Sequence, residues 1–262
     1  MERAAECIRA LGYAVVDSGY TDSQIKEYVE AFERARKTYT NLFGYDLLKS
    51  TDEHYTIRCP LGYEARFLEI ATNQNIVTLA KTLLNNSYII LNQQNGIINP
   101  PFGERYNQGF WHRDLPYQHN VFFRPLAINA LFCIDDFTYD NGATKVLPSS
   151  HKQAAFPSDS FVEKQAVQVT ARRGNFIVLD CMTYHSGGTN NTSFERRAIN
   201  HVISVPFIRQ QINLPQFLGS DFTQDRNVRQ FLGYFLDTLN SPDEWLQARL
   251  RKFQCTKSTE EF

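Results

Sequence analysis

Between Tyr88 and Phe207 the chain changes direction too often to run as long helices. Short apolar stretches rich in β-branched and aromatic residues, at 88–91, 127–134, 142–148, 166–170, 176–179 and 198–207, read as strands. Turn signals stand between them: Asp140-Asn141-Gly142, Arg173-Gly174-Asn175, and Gly187-Gly188 running on to Asn190-Asn191. The stretch from Ala127 to Ile134 is apolar almost throughout, the pattern of a strand covered on both faces. Many short strands punctuated in this way specify a β-sandwich or barrel.

The flanks read as helix. Gly12 to Val16 suggests a short strand, and Thr21-Asp22-Ser23-Gln24 then has the residues of a capping box. Ile25, Tyr28, Val29 and Phe32 follow at i, i+3, i+4, i+7, one apolar stripe of a helix. Ile76 to Leu84 predicts a second. Near the C-terminus Ser241-Pro242-Asp243-Glu244 places Ser at the cap, Pro at the first helical position and Glu at the third. Arg249, Arg251 and Lys252 fall where cations favour the end of that helix. The expected plan is one domain over 1–262: a mostly helical part (1–87), a β core (88–210) and a helical C-terminal part (211–262). A chain of 262 residues, 42% of them apolar, can bury a core of that kind.

A net charge of -1 gives no electrostatic reason to expect nucleic acid or an anionic membrane as partner. Cys7, Cys59, Cys133, Cys181 and Cys255 are odd in number and widely spaced, with no CxxC, so they predict free thiols in a reducing compartment. The acidic N-terminus leads into no long apolar run, and no stretch approaches the ~18 apolar residues of a membrane span. These features predict a cytoplasmic protein with neither nucleic acid nor a membrane as partner, and leave a small-molecule substrate as the default. They say nothing of oligomeric state.

The chemistry concentrates at Phe110-Trp111-His112-Arg113-Asp114. On an extended strand residues i and i+2 point the same way, so His112 and Asp114 can chelate one metal ion together. His185, at the close of the run from Asn175 to Tyr184 and before a Gly-rich loop, is the best third ligand. Two His and one carboxylate on one face form the facial triad of non-haem Fe(II) oxygenases, which leaves positions open for a chelating cosubstrate and O2. Arg196 lies 11 residues beyond His185. Its planar fork suits the far carboxylate of 2-oxoglutarate. On a strand, Arg196, Ala198 and Asn200 share one face, small and polar, while Arg197, Ile199, His201, Ile203 and Val205 share the packing face. Arg196 is therefore preferred to Arg197, at the risk of a one-residue register error.

With these pieces in place the chain resembles the phytanoyl-CoA dioxygenase family, which includes ectoine hydroxylase. The resemblance runs from about Gly12 to Val205. Its motifs are Trp111-His112-Arg113-Asp114, Asn141 through Pro148-Ser149-Ser150-His151, and His185-Ser186-Gly187-Gly188 through Arg196-Arg197-Ala198-Ile199. It implies a double-stranded β-helix (a cupin-like jelly roll) with flanking helices. It implies Fe(II) on His112, Asp114 and His185, and 2-oxoglutarate on Arg196. Asn99, 13 residues before His112, matches a further position that contacts 2-oxoglutarate. The sequence departs from the family's Pro-Gly-Ser-His at Ser149, and from its usual acid after the late-strand glycine at Asn175. Halogenases of this broad superfamily replace the carboxylate ligand with a small residue. Asp114 is present, which points to hydroxylation or a related oxidation, with release of succinate and CO2, rather than halogenation.

The remaining candidates read as structure first. His151, His54 and His201 are structural, Trp111 packs beside the metal, and Cys181 and Thr183 pack before His185. His119 is a surface or core residue, or else lines the cavity. Gln93, Asn95, Arg105, Tyr106, Gln108 and Tyr117 either reach cosubstrate or substrate or form a polar surface segment. Two rival functions use the same residues: a cupin-like metalloenzyme without 2-oxoglutarate, and a non-catalytic binding protein on the same fold.

Overall fold

Helix α1 (Glu2–Leu11) ends at Gly12, whose φ of 88° closes the helix and turns the chain into strand β1 (Tyr13–Asp17). The computed structural model describes residues 1–115, 119–236 and 238–257; Tyr117 and the side chains of Lys252 and of 254–257, the Cys255 thiol among them, lie outside the described residues. Helix α2 (Asp22–Phe43) starts on the expected capping box: Gln24 N donates to the Thr21 hydroxyl at 3.3 Å, and Thr21 N donates to the Gln24 carboxamide at 3.0 Å. Ile25, Tyr28 and Phe32 are buried along its inner stripe and Val29 half-buried. Helix α3 (Tyr45–Ser50), strand β2 (Thr56–Arg58) and helices α4 (Phe67–Ala71) and α5 (Gln74–Leu84) complete the N-terminal layer.

Strands β3 (Ile90–Asn99), β4 (Ala127–Cys133), β7 (Asn175–Asp180) and β9 (Arg196–Ser204) join β1 and β2 in an antiparallel sheet of order β1-β7-β4-β9-β3-β2. Opposite it, β5 (Lys145–Val146), β6 (Val167–Gln168) and β8 (His185–Ser186) form a small sheet of order β6-β5-β8. Helix α6 (Asp159–Gln165) precedes β6, and α7 (Leu214–Leu218), α8 (Arg226–Leu232) and α9 (Pro242–Lys257) follow β9. Glu244 N donates to the Ser241 hydroxyl at the start of α9, as the capping residues predict. The architecture is the double-stranded β-helix with flanking helices. No helix among the described residues is long and apolar enough to cross a membrane.

Alternation along the strands divides the core. On β4, Ile128, Ala130 and Phe132 join Tyr28, Phe32 and Phe67 in the cluster beneath the helices, while Leu131 and Cys133 face inward with Val146, Ile177, Leu179 and Ala198. The inward face also carries Asn129, Asn200 and Arg196, all buried, so the middle of the β-helix is polar.

Two strands differ from the reading of the sequence. The run from Asn175 does not continue to Tyr184: it stops at Asp180, where the Asp180 carboxylate accepts from Met182 N at 2.9 Å and its carbonyl accepts from Thr183 N at 2.8 Å. That turn carries the chain from the large sheet to the small one and delivers His185 on β8. His112 lies on no regular strand but forms an isolated antiparallel bridge with His185. Ser149, where the family has glycine, sits in the left-handed region at φ 62°. Its hydroxyl donates to Ala10 O and its amide to Leu11 O, bonds that offset part of the strain.

Candidate metal centre and its two cavities

The bridge between His112 and His185 builds the centre. His112 N donates to His185 O at 2.9 Å and His185 N to His112 O at 3.1 Å, which sets the two rings side by side with centroids 4.4 Å apart. Two residues on, Asp114 N donates to Cys181 O at 3.0 Å and brings the carboxylate beneath both rings. Asp114 Oδ1 stands 3.7 Å from Nε2 of each histidine, and one donor atom from each of the three residues falls within 4.8 Å of the others.

Each of these groups has its other polar atom engaged. His112 Nδ1 lies 2.8 Å from Phe110 O and His185 Nδ1 lies 2.9 Å from Thr183 O. A carbonyl can only accept, so both Nδ1 atoms carry the proton and both Nε2 lone pairs are free. Asp114 Oδ2 accepts from Asn129 Nδ2 at 3.0 Å, which leaves Oδ1 free. Burial pushes the His185 imidazole below its ordinary pKa, against the pull of Asp114, so it stays neutral, the form a metal needs. Burial and then Asp114 hold the Cys181 thiol well above its ordinary value, and it remains a protonated packing group. Arg113, between the two candidate ligands, points away and donates to Ser150, Gln153 and Ala154 carbonyls. Two imidazole nitrogens and one carboxylate oxygen, on one side and with the other side open, fit Fe(II).

A narrow cavity of about 40 Å³ lies on the histidine side, lined by Tyr106, Asn129, Thr144, His185, Arg196 and Asn200 among others. Arg196 is 3% exposed and stacks over Phe137 with its guanidinium carbon 4.0 Å from the ring centre. It donates to Gly142 O at 3.0 Å and makes a long contact of 3.5 Å with the Tyr106 hydroxyl; its Nε has no partner among the described residues. A buried guanidinium that faces no acid among the described residues fits a carboxylate-bearing cosubstrate. Burial raises the Tyr106 phenol above its ordinary pKa, with Arg196 opposing, so it remains a neutral donor beside the guanidinium. Gly187 permits this packing: a Cβ there would stand 1.8 Å from the Tyr106 hydroxyl. Arg197 points the other way and pairs with Asp135 and Glu33, each at 2.7 Å.

Asn99 lies opposite Arg196 in the β3–β9 register. Its amide donates to Gly142 O at 3.2 Å and Gly188 O at 2.9 Å, and it lines a neighbouring cleft of about 280 Å³ beyond Tyr106. On the Asp114 side a larger cavity of about 730 Å³ opens among Leu115, Phe122, Leu126, Val202 and the segment from Phe207 to Gln211.

Of the other residues noted in the sequence, Gln108 lines the narrow cavity, Arg105 the cleft and Gln93 the large cavity. The Asn95 amide donates to Gln93. Trp111 stacks on Tyr184 at 5.2 Å, and His119 is exposed against Phe156. His151 contacts Arg9 O, His201 spans Ala130 O and Gln94, and His54 packs on Tyr55. Sequence reasoning missed Asn129 and Thr144. A single amide inside the apolar run from Ala127 to Ile134 is the signal that could have found the first.

The phytanoyl-CoA dioxygenase (PhyH) family model matches residues 8–198. A protein of Mycobacterium tuberculosis (strain H37Rv) is 26% identical over 253 residues, covering 94% of this chain and 92% of its own. The iron/alpha-ketoglutarate-dependent dioxygenase penM of Penicillium thymicola is 30% identical over 127 residues, 46% of this chain and 38% of that protein. Among solved structures, EctD from S. alaskensis with 2-oxoglutarate and 5-hydroxyectoine superposes with a TM-score of 0.67 at 18% identity, over 92% of this chain and 85% of that one. The epimerase SnoN in complex with Fe3+, alpha ketoglutarate and nogalamycin RO gives 0.59 at 18% identity, over 92% and 90%.

Proposed function

The chain belongs to the phytanoyl-CoA dioxygenase family and is an iron- and 2-oxoglutarate-dependent dioxygenase, and from that premise we propose that it hydroxylates a small-molecule substrate at a centre held by His112, Asp114 and His185. Iron and 2-oxoglutarate together supply activation of O2 coupled to decarboxylation of the cosubstrate, which leaves as succinate and CO2. The histidines turn their Nε2 atoms to the metal because Phe110 O and Thr183 O hold their Nδ1 protons. Asp114 offsets part of the metal's charge, with Asn129 fixing which oxygen is free. Arg196 pairs with the far carboxylate of 2-oxoglutarate, Tyr106 and Thr144 flank it with hydroxyls, and Leu131 and Leu179 keep water from that end. Asn99 contributes here by tying the two turns at Gly142 and Gly188 on which the arginine rests. The substrate enters from the Asp114 side.

The observation that carries this reading is the convergence of three free ligand atoms between a cavity with a buried, acid-free arginine and a second, larger opening. Anaerobic titration of the metal-free protein with Fe(II) and then 2-oxoglutarate tests it. A weak visible charge-transfer band is expected in the wild type and none in His112→Ala. Folded, iron-loaded protein that gives no band would overturn the 2-oxoglutarate reading and favour a metalloenzyme without that cosubstrate.

A further inference from the structure

The large cavity has a composition that restricts what can enter it. Leu115, Phe122, Leu126, Val202, Phe207 and Ile208 make most of its wall apolar, and about 730 Å³ suits a drug-sized ligand rather than an amino acid. Among the described lining residues the only acid is Asp114, already placed at the metal centre, and the only cation is Arg209; the remaining polar groups are neutral amides.

Arg209 is presented by a fixed wall. Strand β3 slips register between Leu91 and Gln93, leaving Asn92 without a ladder partner. The freed Asn92 amide donates to Ile208 O and Arg209 O, both at 3.1 Å. Next to it, the Gln210 amide donates to Leu91 O at 2.8 Å and Leu232 O at 2.9 Å. The backbone of residues 208–210 is thus bolted to β3 and to the end of α8, while the Arg209 guanidinium has neither a hydrogen bond nor an ion pair among the described residues. Depth orders the two charges. The Asp114 side chain is 7% exposed, whereas Arg209 is exposed at the rim beside Phe207, itself 75% exposed.

We propose that this cavity selects a bulky, largely apolar monoanion such as an amphipathic carboxylate, with its charged end on Arg209 and its apolar body reaching inward. The proposal rests on the oxygenase reading for its consequence, which is that oxidation falls on a carbon of the apolar body and not beside the anionic group. A zwitterion would need a second, acidic anchor, and a polyphosphorylated coenzyme A thioester would need several cations; the described wall offers neither.

Two dyes of one skeleton test the charge rule: 8-anilinonaphthalene-1-sulfonate (ANS), and N-phenyl-1-naphthylamine, which lacks the sulfonate. Both are expected to bind the folded wild type, with ANS the tighter. Arg209→Gln should weaken ANS by about 5-fold, as for a rim charge partly screened by water, and change the neutral dye less than 2-fold. Phe207→Ala, at an exposed position, should weaken both. Co(II) seated in the triad should quench bound ANS in the wild type and not in His112→Ala, which places the dye next to the metal. Equal losses of both dyes in Arg209→Gln, no change in either, or ANS that Co(II) does not quench would overturn the proposal. The charge-transfer titration separates the two failures. A normal band with Arg209-independent dye binding sinks the substrate class alone. An absent band with Arg209-dependent binding sinks the oxygenase reading and leaves an anion-selective apolar chamber.

Discussion

The two cavities that meet at the triad are built differently. The narrow one draws its walls from residues inside hydrogen-bonded ladders: Ile97 on β3, Asn129 and Leu131 on β4, Arg196 and Asn200 on β9. The large one is walled mostly by residues outside the strands, among them Leu115, Asn120, Phe122 and Leu126 and the segment from Phe207 to Gln211, with Asn92 and Gln210 as its ties. A ladder residue cannot move without breaking backbone bonds, so the Arg196 end is rigid, whereas away from the ties at 208–210 a loop wall can change shape at little cost to the core. The same centre therefore joins a fixed seat, suited to one small diacid, to a chamber held firm at Arg209 and adaptable elsewhere. Cosubstrate and substrate recognition become separable by mutation.

Arg196→Ala gives the largest expected effect on that separation. It strips a buried ion-pair partner from 2-oxoglutarate, a loss of roughly 2–5 kcal/mol, or about 30- to several-thousand-fold in affinity. ANS binding in the large cavity should hold within 2-fold. Titration of the charge-transfer band measures the first and dye fluorescence the second; parallel losses would show that the cavities are one. Arg197→Ala is the register control. Its partners Asp135 and Glu33 are on the outer side, so 2-oxoglutarate affinity should not change, and stability should fall by no more than about 1 kcal/mol. Asn129→Ala comes next. It frees Asp114 Oδ2 and should weaken Fe(II) binding by about 10- to 100-fold, measured by chelator competition. Unchanged iron affinity would mean that Asp114 is oriented by its backbone alone.

The difference between the cavities also explains what could be read in the sequence. The ladder-built end is legible because period-2 alternation is written in residue types: small and polar residues follow Arg196 on its face, and mostly apolar ones follow Arg197 on the other. His112, Asp114 and His185 were found by spacing, although the strand assumed for His112 is a single bridge and the one assumed to reach His185 breaks at Asp180. The triad survives both departures because an extended backbone, paired or not, keeps i and i+2 on one side. The loop-built chamber left no such trace. Nothing local to Phe207 or Arg209 says that a bulge at Asn92, 117 residues before Arg209, will hold that segment beside the iron site. Long-range ties of a side chain to a backbone carbonyl have no sequence period. Asn129 was hidden for a related reason, since one amide in an apolar run reads as tolerated packing until its partner is known.

The smallest effect concerns the turn at Asp180 that leads from β7 toward His185. Asp180 is 5% exposed, and burial raises its carboxyl to about 6, with Asp114 adding to the rise and the Met182 amide opposing it. A carboxyl whose folded pKa lies above its unfolded value holds its proton more tightly in the folded state. The contribution of Asp180 to the stability of the metal-free protein should therefore be greatest below the unfolded value, near pH 4, and be lost as pH rises through about 6, above which it is constant. Asp180→Asn keeps an oxygen for Met182 N and removes the charge. It should stabilise the metal-free protein by about 1–2 kcal/mol at pH 7.5, some 2–8 °C in Tm for a chain of this size, and by almost nothing at pH 4. A divalent ion at the triad sets positive charge against Asp114 and Asp180 alike, so the gain should shrink when Fe(II) or Co(II) is bound under anaerobic conditions. A gain that is the same at both pH values would assign the effect to packing. A pH-dependent gain that metal leaves untouched would show the Asp180 carboxylate to be electrostatically separate from the metal centre at Asp114.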